Sequence, residues 1–87
     1  MENIQNQIVE DQMRNIFNLR RIKECLELKI HLIRDDYYNK NEYERNEIDM
    51  QRIQCNMSIM KIEKSLLEKN KELHDSINIY CFALKEQ

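Results

Sequence analysis

Apolar residues recur along the first part of the chain in steps of three and four. Ile4, Ile8, Ile16, Leu19, Ile22, Leu26, Ile30 and Ile33 keep this spacing with one gap at Gln12, and Val9, Met13, Phe17, Leu28 and Leu32 widen the stripe on either side. Side chains so spaced share one face of an α-helix. The pattern predicts a helix over about residues 3–37, roughly 50 Å long at the usual rise per residue.

A second helical pattern follows from about residue 42. Met50, Ile53, Met57, Met60 and Leu67 form one seam, and Ile48, Cys55, Ile59, Ile62, Leu66, Leu73, Ile77 and Tyr80 form another beside it. One partner helix covers a narrow seam, so a face this wide calls for two neighbours or more, as in a three- or four-helix bundle. Between Ile33 and Ile48 the apolar spacing fails, and only Tyr37, Tyr38 and Tyr43 interrupt the polar residues. Asn39 and Asn41 each precede a glutamate by three residues, Glu42 and Glu44, an arrangement that satisfies orphan amide groups at a helix start. Glu42, Glu44 and Glu47 also set negative charge near the positive end of a second helix. These signals predict a turn at about 38–41 rather than one straight rod. The expected fold is all-α: a long antiparallel, coiled-coil-like hairpin forming a single domain over 1–87, completed as a bundle by oligomerisation.

A turn centred there pairs residues whose numbers add to about 79, which sets Leu26 against Ile53 and Leu19 against Met60. The first helix is then exhausted near residue 76, and the segment INIYCFALKEQ at 77–87 runs past it. Two arrangements are open for a second helix of about 42–73. It continues, leaving Ile77, Ile79, Tyr80, Phe82 and Leu84 as an apolar interface, or it breaks and a short third helix over 76–85, capped by Asp75 or Ser76, folds back. Met50, Met57 and Met60 line one seam and suit an adaptable binding groove, although core packing is the commoner use of methionine. Together with the five C-terminal residues they form the candidate protein interface.

Composition narrows the class. A chain of 87 residues buries only about 60% of its unfolded surface, so it gains from folding in company. Gly, Pro and Trp are absent, which removes the commonest helix breakers. Ala83 is the sole alanine while Ile and Asn abound, the bias of an AT-rich genome. The net charge of −2 holds no basic block of the kind that tracks phosphates, so direct nucleic-acid binding is not expected. Cys25, Cys55 and Cys81 lie far apart without CxxC spacing, which reads as free thiols in a reducing intracellular compartment, cytoplasm or nucleus. The polar N-terminus is unlike a signal peptide, and the longest apolar run, 77–84, is too short for membrane insertion.

Chemistry-bearing motifs are scarce. His31 and His74 lack a second ligand at helical spacing, so no metal site is expected. Asp35 and Asp36 are consecutive and point about 100° apart on a helix, unlike a catalytic dyad. Glycine loops for phosphate do not exist here. No catalytic residue, cofactor or small-molecule substrate is expected, and the chain reads as a non-enzymatic interaction protein.

In length and helical character the chain is similar to the small all-helical chorismate mutases, and that resemblance would give Arg14, Arg20, Arg21, Lys23 and Arg52 the role of basic side chains gathered inside a helical dimer. The run of residues marking that family is missing, and the same charges fit a solvated face. As a short helical chain suited to packing with others, it also resembles in general architecture the subunits of eukaryotic multiprotein complexes such as kinetochore rings, tethering complexes and the Mediator. The expected partners are other helical chains, different ones rather than further copies of itself. The alternative is a small viral or phage-type regulator, homodimeric, binding one target through its C-terminal segment or its tyrosine cluster.

Overall fold

The chain is described over residues 2–86 in a computed structural model. Two helices, α1 (Glu2–Arg34) and α2 (Glu42–Lys85), are joined by a linker that holds one turn of 3₁₀ helix, Tyr37–Asn39. They pack against each other as a hairpin with Cα extents of 68 × 15 × 13 Å. Its radius of gyration is 19.6 Å, against about 12 Å for a compact domain of this length.

Among the described residues one polar contact between the helices and one between the linker and α2 define the pairing. Lys23 Nζ lies 3.3 Å from Glu63 Oε1, and the Tyr37 hydroxyl donates to Asp49 Oδ2 at 3.0 Å. The numbers 23 and 63, like 37 and 49, add to 86. Burial follows the same register. On α1 the inward positions are Gln5, Val9, Gln12, Ile16, Leu19, Lys23, Leu26, Ile30 and Ile33, in strictly alternating steps of four and three. On α2 they are Ile48, Arg52, Cys55, Ile59, Ile62, Leu66, Lys69, Leu73, Ser76, Tyr80 and Ala83, alternating in the same way. This is the a/d periodicity of an antiparallel coiled coil. It sets Ile30 against Cys55, Leu26 against Ile59 and Leu19 against Leu66. Among the described residues the buried apolar side chains are Ile16, Cys55, Ile59 and Leu66, none of them fully enclosed, so the core is a narrow strip between two rods.

The register differs from the expected sum of about 79 by six or seven residues, which turns the other apolar row of α2 toward α1, and the linker explains why. The sum of about 79 belongs to a turn centred at 38–41. Instead α1 stops at Arg34, three residues early, and Asp36 takes a left-handed conformation with φ 65°. Aspartate tolerates this region better than most residues. Asn39 donates its side-chain amide to the Asp36 carboxylate, and the chain then climbs beside the first turns of α2, where Arg45 Nε donates to the Lys40 carbonyl at 2.8 Å. The first turns of α2 thus project past the end of α1, which moves every pairing along. The expected C-terminal overhang disappears with that shift, because residues 80–84 now lie level with the start of α1.

Of the two candidate caps, Asn41 starts α2. Its Oδ1 accepts from the Glu44 backbone N–H at 2.8 Å, and its amide donates to Glu44 Oε1 at 2.8 Å. Glu42 and Glu44 occupy the first turn, where the helix dipole favours negative charge. From there α2 runs unbroken to Lys85, so the C-terminal segment continues the helix and does not fold back as a third one. No helix among the described residues is long and apolar enough to cross a membrane.

Candidate protein-interaction site

The inner seam of α2 satisfies α1 and leaves the second apolar row uncovered. Met50, Ile53, Met57, Met60 and Leu67 follow steps of three, four and seven, and every one is exposed, up to 74% at Leu67. Relative to the inward positions they fall on the far side of α2, beyond reach of α1. The three methionines expected at an interface are therefore together on one solvent-facing stripe, with Ile53 and Leu67 completing it.

The C-terminal residues divide differently. Ile77, Ile79, Phe82 and Leu84 are exposed, whereas Tyr80 is half-buried on the inward face toward α1. Helical geometry spreads the four around α2, so they do not extend the methionine stripe as one line. The register places Ile4 and Ile8 of α1 level with Phe82 and Asn78, and both isoleucines are exposed. Ile4, Ile8, Ile79 and Phe82 thus form an apolar patch at the open end of the hairpin. The contribution of α1 to this patch was missed in the sequence because the expected register left that end of α2 without a neighbour.

The area involved is large. The accessible surface is 7176 Å², whereas a compact monomer of this mass exposes about 5,500 Å². The excess of about 1,600 Å², polar and apolar together, follows from the elongated two-helix shape.

Scans of protein-family models, curated proteins and solved structures gave no match to this chain.

Polar chemistry concentrates at the turn. Asp49 takes the Tyr37 hydroxyl on Oδ2 and lies 3.5 Å from Arg52 through Oδ1. The hydrogen bond to the Asp49 carboxylate, aided by partial desolvation and the negative charge of Asp49, holds the Tyr37 phenol above its ordinary range, with Arg45 and Arg52 opposing. Tyr43 is raised in the same direction, chiefly by its hydrogen bond to Glu47. Tyr38 packs edge-on against Tyr37, with ring centroids 5.3 Å apart.

Elsewhere the titratable groups are dispersed. Lys23, inside the seam, is shared between Glu63 and Glu27, 3.7 Å away on its own helix. Arg52 is an inward residue near the turn, Arg14 pairs with Asp11 at 4.0 Å, and Arg20 and Arg21 are exposed, with Arg21 over the Phe17 ring at 5.8 Å. Within one protomer these five basic residues do not converge on a common point. Cys55 is buried in the seam, and Cys25 and Cys81 are exposed and free. Among the described residues no group of three His, Cys, Asp or Glu side chains is gathered as a metal would require.

Proposed function

We propose that this chain is a non-enzymatic architectural module, a helical hairpin that serves as a small subunit of a multiprotein assembly. Its outer apolar surface packs against helices of different chains. The observation that carries this reading is the exposed Met50, Ile53, Met57, Met60 and Leu67 stripe, an a/d-like row with no helix of the described residues opposite it. A helix with two apolar rows is stable in water when both are covered. Methionine suits such a contact because its unbranched thioether adapts to the partner's shape. The patch at the open end, with Ile79 and Phe82, offers a second anchoring point.

Molar mass by light scattering across a tenfold dilution in reductant, with circular dichroism on the same fractions, tests the reading. The purified chain alone is expected to aggregate or to lose helix on dilution, and a co-expressed partner to restore a discrete helical complex. A helical dimer or tetramer that survives dilution without other chains would overturn it in favour of a self-contained homodimeric regulator. Replacing Ile79 and Phe82 by Ser together is expected to abolish assembly while most of the helical content remains.

A further inference from the structure

The linker and the first turns of α2 enclose a cleft of about 320 Å³ lined by Arg34, Tyr37, Tyr38, Ile48, Asp49 and Arg52. It contains two guanidinium groups and one carboxylate. Both oxygens of that carboxylate are engaged, one by the Tyr37 hydroxyl and the other by Arg52. Arg34 has no carboxylate within ion-pair distance among the described residues. The cleft therefore carries one uncompensated positive charge on a planar group that presents paired N–H donors.

We propose that this cleft takes a carboxylate side chain from an acidic segment of a partner protein, with Arg34 as its principal donor. Guanidinium and carboxylate match as two parallel hydrogen bonds, and the charge count favours a monoanion. A phosphate dianion would put a second negative charge beside Asp49, where one positive charge is available to balance it. Tyr38, 87% exposed at the edge of the cleft, offers an aromatic face to the same segment. Tyrosine and arginine are the residue types that most often dominate binding energy at protein interfaces. The inference rests on the interaction-module reading and adds a polar anchor at the turn, remote from the open-end patch.

Fluorescence anisotropy of a labelled, end-blocked tetraglutamate peptide titrated with the full chain, at concentrations where circular dichroism shows the chain helical, tests it, with inorganic phosphate as competitor. Saturable binding is expected, weakened about tenfold or more by Arg34→Gln, the loss that goes with one charge-assisted hydrogen bond. Arg34→Lys keeps the charge without the fork and should fall between the two. Arg34 is exposed, so its substitution should leave the helical content unchanged, and circular dichroism on the same sample checks that. Equal peptide affinity in the wild type and Arg34→Gln would overturn the proposal. So would displacement of the peptide by phosphate at a concentration below the peptide's own dissociation constant, which would assign the cleft to a free oxyanion. A Met57→Ser, Met60→Ser double variant separates this site from the apolar stripe, because it should fail to form a complex with a co-expressed partner and keep peptide binding.

Discussion

The inner and outer rows of α2 are built to the same spacing on one helix, yet they meet different surroundings. The inner row is rich in Ile and Leu and includes the buried Cys55, Ile59 and Leu66, while the outer row is methionine-rich and wholly exposed. Apolar periodicity alone does not choose between them. The choice falls to the linker, which sets the phase in which α1 lies along α2, and to the branched side chains, which pack into holes with less loss of rotamer freedom than methionine. An amphipathic pattern thus shows how many neighbours a helix wants, and the connection decides which of them is its own chain.

The largest test of this contrast compares adjacent positions. Ile59→Ala, at a side chain 9% exposed, should lower hairpin stability by about 2–4 kcal/mol, read as a fall in the urea midpoint. Met60→Ala, next along the chain and 68% exposed, should change it by less than about 0.5 kcal/mol. Comparable losses at both would mean that the outer row is already covered in the species measured.

The linker offers the next effect. Asn41→Ala removes the cap of α2 and should cost about 1 kcal/mol, whereas Asn39→Ala, whose side chain only meets Asp36, should cost distinctly less. Equal costs would place the helix start elsewhere and with it the phase of the two rows.

A smaller change concerns Lys23, whose cross-helix ion pair is partly exposed. Lys23→Met should alter stability by no more than about 1 kcal/mol, and any loss should shrink at high salt. A loss that persists at high salt would show that Lys23 acts through packing within the seam.

Tyrosine titration gives the finest probe. In difference absorbance against Tyr37→Phe, the Tyr37 signal should appear above the ordinary phenol range, as its contact with Asp49 directs. A raised folded pKa means that the contribution of this contact is fully present below the unfolded value near 10 and is lost as pH rises through the folded one. An unshifted Tyr37 would place Asp49 away from it and weaken the assigned register at the turn.

Much of this architecture is legible in the residues. The two helices follow from the three-and-four spacing and the absence of helix breakers, and the Asn41 cap follows from its glutamate partner three residues on. The doubled face of α2 follows from the two rows, but which row meets α1 does not: the expected pairings set Ile53 and Met60 against α1, and both are exposed. The register does not follow, because α2 carries two apolar rows one residue apart, so that Ile59 for Ile53 and Leu66 for Met60 exchange one apolar seam for the other, and the left-handed Asp36 that displaces the turn has no glycine to announce it. Ile4 and Ile8 at the open end, and the meeting of Arg34 with Arg52 at the turn, depend on that register and stay hidden with it. Tyr80 shows the same limit: its seam membership is visible in the spacing, but its neighbour Gln5 is not.

The antiparallel course of the helices also has a mechanical consequence. Glu2 and Lys85 lie at one end of a rod 68 Å long, and the Tyr37–Asn39 turn lies at the other. Tension applied between the two chain ends would peel the seam apart one layer at a time, so little force is needed. Tension applied between the turn and the open end runs along both helix axes in parallel and leaves the seam unloaded, so it is borne by the backbone hydrogen bonds of the helices. The same hairpin is therefore a weak clasp in one direction and a stiff strut in the other, and the direction in which it is anchored determines which of these it is.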